Sequence, residues 1–271
     1  MMRTRAVRPF EWAFPPRPAR RELLSVLPEV GTGKPPLLFV HGLAHGAWCF
    51  AEHWLPAAAE HGFPAYAVSV RGHGASSGSE RLRRDRLRDY VHDVVQAAVS
   101  LPSQPVLIGH SLGALVVSRV IARYPARAVV LTAPVPPTQG VGLAAHLART
   151  EPATAARIIA GRTVRLRADQ LFAAGVAEEH VDRLGAASPL VQYQAAFHRR
   201  PDPPLGDPPV LVVGAGADRL IPARLVARTA RFYRTEPVVV PGVGHDLMLD
   251  AGWDRALKTI LNWVDALEER P

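Results

Sequence analysis

The sequence predicts an α/β fold, in which a mostly parallel sheet carries helices on both faces. Three observations predict it. Short apolar runs alternate with stretches of helical spacing along most of the chain, and this alternation is typical of βαβ units. The 271 residues, 48% of them hydrophobic, are enough to build one large core. The interval 134–205 contains no good strand run, which indicates a helical insertion between two strands.

The individual elements follow from this alternation. Apolar runs predict strands at 36–40, 65–70, 105–109, 127–132, 209–214 and 236–241, after two possible early strands at 3–13 and 21–27. Helical spacing predicts helices at 47–60, 83–100, 112–124, 222–233 and about 250–267. In such a sheet ligands bind outside the carboxyl ends of the strands. We therefore expect the functional residues in the loops that follow the strands.

The interval 134–205 is predicted to form a helical cap or lid. Its helix candidates lie at 142–149, 153–160, 168–174, 177–185 and 188–198. Because the insertion leaves the sheet at the edge where ligands bind, we favour a lid over a helical decoration that contacts no site. Residues 1–133 and 206–271 would then form the core domain.

The net charge of +8, from 32 basic and 24 acidic residues, could indicate a nucleic-acid partner. The arginines, however, are spread along the chain, and the densest run, at 81–90, contains two aspartates. Basic and aromatic residues are also not interleaved as single-strand binding requires. We interpret the run as a solvated helix face and expect no nucleic-acid partner. The oligomeric state is left open.

Cysteine content and hydropathy exclude other classes of protein. Cys49 is the only cysteine, so an intrachain disulfide and a thiolate metal cluster are impossible; we interpret it as a small buried hydrophobe. No apolar run approaches the ~18 residues of a membrane span, and the first residues lack an apolar signal core. We expect no stable membrane insertion and a cytoplasmic location.

A serine stands at the point where a predicted strand gives way to a predicted helix. Gly109-His110-Ser111-Leu112-Gly113 fits the pattern G-x-S-x-G, in which the glycines allow a sharp, strained turn that presents the hydroxyl. Serine needs a base, an acid that orients the base, and donors for an oxyanion. The Leu112 N–H, at the N-terminus of the helix, is expected to be one such donor.

The base and the acid are expected in two later loops. His245 lies in a glycine-flanked loop directly after the last apolar strand, whereas the other histidines are poorly placed. Asp218 follows the strand at 209–214, and the loop after the preceding strand, "TAPVPP", holds no acid. The alternative for Asp218 is an Asx turn or a helix N-cap. Asp246 is expected to point away from the site.

The second oxyanion donor is expected in "FVHGLAHGAW". His41 and Gly42 end a predicted strand and allow a close backbone approach, so we expect the Leu43 N–H to donate. The alternative is simple turn chemistry. His41, Gly42, Gly109, His110 and Gly113 are expected to support the loop and the turn.

These motifs together resemble the α/β-hydrolase superfamily. The order Ser111, Asp218, His245, with "HG" at 41–42 and "RGHG" at 71–74, carries the resemblance from about residue 20 onward. The resemblance implies a mostly parallel eight-stranded sheet and a helical cap after the sixth strand. Members that open epoxides or remove halides have an aspartate nucleophile, so Ser111 excludes both chemistries.

One branch of that superfamily is similar at a single motif. "HGLAHGAW" is similar to the plant methylesterase and hydroxynitrile-lyase branch. Its lyases carry a threonine where this chain has Gly42 and a lysine where it has Asp246. The chain therefore departs from the lyase pattern and keeps the hydrolase pattern.

We therefore expect a serine hydrolase that cleaves a carboxylic ester or a related acyl compound through an acyl-enzyme, with no metal or organic cofactor. A thioesterase, a carbon–carbon bond hydrolase or a cofactor-free perhydrolase would carry the same triad, and a non-catalytic small-molecule binder is a further alternative. A small hydrophobic substrate is favoured by apolar side chains of the insertion: Leu143, Leu147, Ile158, Ile159, Leu171, Phe172, Tyr193 and Phe197. An anionic substrate could instead meet its arginines: Arg162, Arg165 and Arg167.

Overall fold

The computed structural model describes residues 13–138, 141–173 and 179–268. In these residues one sheet has the strand order β1-β3-β2-β4-β5-β6-β7. Only β1, which pairs with β3, is antiparallel to its neighbour. The strands are β1 (Glu22–Val26), β2 (Leu37–Val40), β3 (Ala65–Ser69), β4 (Val106–His110), β5 (Ala128–Thr132), β6 (Val210–Ala215) and β7 (Pro237–Val240). The predicted α/β class is confirmed.

The expected number of eight strands is wrong by one within the described residues, which form seven. The number came from the family pattern, which has one more strand than the described chain supplies. The predicted strand at 21–27 is β1, and it lies at the edge of the sheet beside β3. Of the other early candidate, 3–13, all but the last residue lies outside the described residues.

The helices of the core alternate with the strands. They are α1 (Trp48–Ala51), α2 (Trp54–Glu60), α3 (Leu87–Val99), α4 (Leu112–Val120), α10 (Ala223–Phe232) and α11 (Trp253–Glu268). The predicted helix at 47–60 is divided, because the ring and missing N–H of Pro56 exclude it from a helix interior. Helix α3 begins later than predicted: Arg86 has an extended backbone, and its N–H donates to the Asp89 carboxylate at 2.8 Å. Residues 79–84 form a 3₁₀ turn instead.

The hydrophobic core lies on both faces of the sheet. Every residue of β2, β4 and β5 is buried, although successive side chains point to opposite faces. Both faces must therefore be covered, as in other parallel sheets. Helices α2 and α11 pack against each other, and α3 and α4 form a second packed pair. None of the helices in the described ranges is long and apolar enough to cross a bilayer.

The helical insertion, residues 134–205, lies between β5 and β6 and contains no strand in its described part. Its helices are α5 (Val141–Thr150), α6 (Pro152–Ile159), α7 (Ala168–Leu171), α8 (Glu179–Asp182) and α9 (Pro189–Ala196). Hydrogen bonds join it to the core: the Gly185 N–H donates to the Ala44 carbonyl at 2.7 Å, and Ser188 Oγ donates to the Asp85 carbonyl at 2.8 Å. The domain boundaries at 134 and 205 stay a prediction.

Candidate active site

Ser111 stands in a strained turn between β4 and α4. Its φ of 53° and ψ of −115° lie outside the regions that non-glycine residues normally adopt. Two glycines make the turn possible. A Cβ on Gly109 would lie 2.6 Å from the Gly113 carbonyl oxygen, and a Cβ on Gly113 would lie 2.2 Å from that of Val40. Because backbone blocks both positions, the G-x-S-x-G spacing is a steric requirement of this turn.

Ser111, His245 and Asp218 meet at the carboxyl edge of the sheet. Ser111 Oγ lies 2.9 Å from His245 Nε2, and Asp218 Oδ2 lies 2.8 Å from His245 Nδ1. Ser111 follows β4, Asp218 follows β6 and His245 follows β7. The structure thus brings together the three side chains that the sequence nominated.

The second carboxylate oxygen of Asp218 has its own partners. Oδ1 accepts hydrogen bonds from the Leu220 and Ile221 N–H groups, both at 2.8 Å. The Asx-type turn considered as an alternative is therefore present, together with the contact to His245. The side chain is fully buried, so these bonds fix which oxygen faces the imidazole.

The environment of His245 favours acceptance of a proton. Burial lowers the pKa of His245, but the charge of Asp218 and its hydrogen bond, with a contribution from Asp246, raise this pKa above its ordinary value. Asp218 accepts a hydrogen bond from the Nδ1–H of His245, which leaves Nε2 as the acceptor for the Ser111 hydroxyl. This is the arrangement that a general base needs.

The two expected oxyanion donors lie on either side of Ser111. Leu112 is the first residue of α4, and a Cβ on Gly42 would lie 3.2 Å from Ser111 Cβ, so the Leu43 loop passes close to the serine. In the described part of the chain, neither the Leu43 nor the Leu112 N–H donates to another protein group. Both donors are therefore available to an external acceptor.

His41 holds the Leu43 N–H in one direction. The Val70 N–H donates to His41 Nε2 at 3.1 Å, and His41 Nδ1 donates to the Gly42 carbonyl at 2.8 Å. That carbonyl and the Leu43 N–H belong to the same trans peptide unit and point in opposite directions. Burial, with His73, lowers the pKa of His41 well below its ordinary value, so this ring stays neutral and keeps its tautomer.

His110 joins the serine turn to the histidine loop. Its Nε2 donates to the His245 carbonyl at 2.9 Å. Burial, together with the neighbouring His245, lowers the pKa of His110 to about 3. The supporting position expected for His110 is consistent with this contact.

Sequence reasoning missed His45, which lines the site and contacts the Asp246 carboxylate at 2.8 Å. The available signal was the second histidine of "HGLAHG". The Asp246 carboxylate is hydrogen-bonded to His45, and its expected orientation away from the site stays a prediction.

A cavity of about 160 Å³ opens beside Ser111 and His245, between the core and the helical insertion. Five of the eight nominated apolar residues line it: Leu143, Leu147, Ile158, Ile159 and Phe197. Leu171 and Phe172 are buried in the main core instead, and Tyr193 is exposed. The side chains of the nominated arginines do not line the cavity.

The lining is nearly free of polar groups and has no charged residue of the Asp, Glu, Lys or Arg type among the described residues. Apart from Ser111 and the site histidines, its polar side chains are Thr154 and Gln192. Both ends of the Gln192 amide are already hydrogen-bonded within the protein, since Oε1 accepts from the Val164 N–H and Nε2 donates to the Arg162 carbonyl. The cavity therefore suits an uncharged, mostly apolar group.

Among the described residues, His110, His245 and Asp246 form a group that could hold a metal ion, since one potential ligand atom of each lies within 4.8 Å of the others. Both nitrogens of His245 are already hydrogen-bonded, to Ser111 and Asp218, and His110 Nε2 bonds the His245 carbonyl. A metal ion there would have to displace these bonds. The expectation that no metal or cofactor is needed stays a prediction.

Comparisons with known proteins agree on one family. The model of the family described as "Alpha/beta hydrolase family" matches residues 37–257. A 2-(acetamidomethylene)succinate hydrolase of Mesorhizobium japonicum is 31% identical over 88% of this chain and 90% of its own length. A monoacylglycerol lipase of Mycolicibacterium smegmatis is 28% identical over 84% and 87%. The crystal structure of Paleococcus ferrophilus monoacylglycerol lipase is 20% identical, with a TM-score of 0.64 over 92% of this chain and 98% of that one.

Proposed function

Since the chain belongs to the α/β-hydrolase family, we propose that it is a serine hydrolase that cleaves carboxylic esters of small to medium, uncharged, apolar acids. The observation that carries the proposal is the line of contacts from Ser111 through His245 to Asp218, beside an apolar cavity. In this proposal residues 134–205 act as a cap whose apolar side chains receive the acyl or alcohol group.

The proposed reaction has two halves. His245 Nε2 takes the proton of the Ser111 hydroxyl as Oγ attacks the ester carbonyl, and Asp218 stabilises the imidazolium. The Leu43 and Leu112 N–H groups hold the oxyanion, a contribution of about 3–4 kcal/mol per donor in other enzymes. His245 then protonates the leaving alkoxide as the acyl–Ser111 ester forms. Water, deprotonated by the same imidazole, hydrolyses that ester and restores the serine.

The cavity lining supports an uncharged acyl group. The name of the Mesorhizobium japonicum relative gives a substituted succinate as its substrate. A dicarboxylate would find neither Arg nor Lys among the described residues that line this cavity, and burying an unpaired carboxylate costs several kcal/mol. The name of the second relative, a monoacylglycerol lipase, is easier to reconcile with the apolar lining.

The decisive experiment has two parts. First, a fluorophosphonate probe should label the wild-type protein at Ser111, should not label Ser111→Ala, and should label His245→Ala far more slowly. Ser118→Ala is the matched control, because this buried hydroxyl donates to the Ala114 carbonyl within α4 and does not line the cavity that contains Ser111. Full turnover by Ser111→Ala would overturn the mechanism, and absence of labelling in the wild type would favour a non-catalytic binder.

Second, p-nitrophenyl esters of rising chain length should be compared with thioester, lactone and carbon–carbon bond substrates, and with peroxide plus acetate. The sharpest pair is p-nitrophenyl pentanoate and p-nitrophenyl hemisuccinate, which differ mainly by a terminal carboxylate. We expect kcat/KM to favour the neutral ester by about 100-fold or more, since each 1.36 kcal/mol corresponds to tenfold. Equal values would contradict the assignment of an uncharged substrate.

A further inference from the structure

A second buried histidine–carboxylate pair lies beside the triad. His45 Nε2 lies 2.8 Å from Asp246 Oδ2, and His45 Nδ1 lies 2.8 Å from the Leu43 carbonyl oxygen. The His45 side chain is 2% exposed and that of Asp246 is fully buried. His45 also lines the cavity that contains Ser111.

Both ring nitrogens of His45 therefore face oxygen acceptors. A carbonyl oxygen cannot donate, and neither can an ionised carboxylate, so both hydrogen bonds form only if both nitrogens carry protons. Burial alone would raise the pKa of Asp246, but the charge and hydrogen bond of His45, with His110 and His245, hold this pKa below its ordinary value. The geometry is that of an imidazolium paired with a carboxylate.

His198 provides an internal comparison. Its two nitrogens also face oxygens, those of the Arg199 and Pro136 carbonyls, at 3.0 and 2.9 Å. No carboxylate is among these contacts, and burial lowers the pKa of His198. A neutral ring has one N–H, so only one of the two contacts is a hydrogen bond. The carboxylate of Asp246 thus distinguishes His45 from a buried neutral histidine.

The pair joins two loops of the site. Asp246 directly follows His245, and its own N–H donates to the Leu171 carbonyl at 2.9 Å, which fixes its position. His45 lies two residues after Leu43 and donates to the Leu43 carbonyl. His41 holds the preceding carbonyl, that of Gly42. The peptide units on both sides of Leu43 are therefore clamped by histidines.

We propose that His45, kept as an imidazolium by the buried Asp246 carboxylate that balances its charge, is a positioning residue that holds the Leu43 N–H toward the developing oxyanion. This inference rests on the proposed function, because it requires an oxyanion. An ester is neutral in the ground state and gains negative charge only on the way to the tetrahedral intermediate. The pair therefore acts on kcat and leaves KM nearly unchanged.

The kinetic test compares Asp246→Asn, which keeps the shape and removes the charge, with His45→Gln and with the control His198→Gln. Removal of an oxyanion donor costs about 10²–10³ in kcat in other enzymes, and loss of its support should cost less, about 10–100-fold. We expect this fall in kcat with KM within about twofold, and a parallel fall in fluorophosphonate labelling. His198→Gln should keep wild-type kinetics. Wild-type kcat in folded Asp246→Asn would overturn the proposal.

The spectroscopic test reads the protonation of His45 directly in the wild-type protein and uses variants for assignment and comparison. Long-range ¹H–¹⁵N correlation spectra of the histidine rings at pH 7.5, assigned with His45→Gln and His198→Gln, should show two protonated nitrogens on His45 and one on His198. In Asp246→Asn, His45 should lose one of its protons. An unprotonated ring nitrogen on wild-type His45 would overturn the proposal even if Asp246→Asn does not fold.

The two proposals fail in different ways. If the probe does not label wild-type Ser111, the proposed function fails, and the oxyanion role of His45 fails with it whatever the protonation of the His45 ring. If labelling is normal but His45 is neutral, only the present inference fails.

Discussion

Replacing Asp218 by asparagine should reverse the tautomer of His245. The Leu220 and Ile221 N–H groups both donate to Asp218 Oδ1. In Asp218→Asn the amide oxygen must remain there, so the amide NH₂ takes the place of Oδ2 and faces His245 Nδ1. That nitrogen becomes an acceptor, the proton moves to Nε2, and Nε2 can no longer accept the proton of Ser111.

The size of the effect follows from these contacts. If the new amide of Asp218→Asn rotated by 180°, its NH₂ group would face the Leu220 and Ile221 N–H groups, which would then have no acceptor. Each buried donor left without a partner costs about 1–3 kcal/mol. At about 2 kcal/mol or more for the pair, the flipped form amounts to roughly 3% of the molecules at most. The residual activity should stay below that, and the same substitution in another serine hydrolase lowers kcat about 10⁴-fold.

The assay should measure both kcat for p-nitrophenyl pentanoate and the rate of fluorophosphonate labelling, which does not depend on the natural substrate. Asp254→Asn is the matched control, because its partly exposed carboxylate pairs with Lys258 within α11. The control should keep wild-type rates. Activity of Asp218→Asn above about one tenth of wild type, in a protein with unchanged thermal unfolding, would refute the tautomer argument.

Three further predictions follow from the same structure. Gly113→Ala should prevent the serine turn and sharply lower Tm, because the added Cβ would lie 2.2 Å from the Val40 carbonyl oxygen. The control Gly142→Ala should be neutral or stabilise α5 by up to about 1 kcal/mol. Equal melting temperatures for the two variants would contradict this prediction. The value of kcat/KM should fall as pH falls through a pKa above the ordinary histidine value of about 6.5. The reason is that the raised pKa of His245 allows the inactive protonated form to persist to higher pH. A fall in kcat/KM that begins only below about 6.5 would contradict this prediction. Burial, with nearby carboxylates and against Arg71, raises the pKa of Asp85 to about 7, so the folded state binds a proton more tightly than the unfolded state and loses stability as pH rises from about 4 to about 7. The gain in urea stability from Asp85→Asn should therefore grow over that range and level off above it, and a gain that is constant with pH would count against a titrating Asp85.

Much of the fold could be predicted because its signals are local. Strand runs bounded by helical spacing place β2 to β7 within one or two residues of their observed ends. The errors also have local causes. The helix predicted at 47–60 is divided at Glu52 and His53, and the second helix starts there because Pro56 fits only in a first turn, where its missing N–H needs no partner. Helix α3 starts at Leu87 because the Asp89 carboxylate caps the Arg86 N–H, a contact that helical periodicity does not register.

The candidate site was also foreseeable in part. Ser111, Asp218 and His245 each follow an apolar strand, and parallel strands bring their carboxyl ends to one edge of the sheet. His45 was missed, since its partner Asp246 lies 201 residues away and nothing local links them. The same reason applies to the cavity wall: Leu143 and Leu171 are both buried leucines on insertion helices, but only Leu143 of the two lines the cavity.

The order of strands and helices, the glycine-bounded turn at Ser111 and the loops that carry its partners could therefore be predicted from local sequence patterns. These features depend on hydrophobic periodicity and on backbone geometry, which act over a few residues. Tertiary contacts set which oxygen of Asp218 faces His245, which leucines line the cavity beside Ser111, and that His45 contacts both Asp246 and the Leu43 carbonyl. Those properties depend on the distance and direction between groups far apart in the chain, and packing alone sets them.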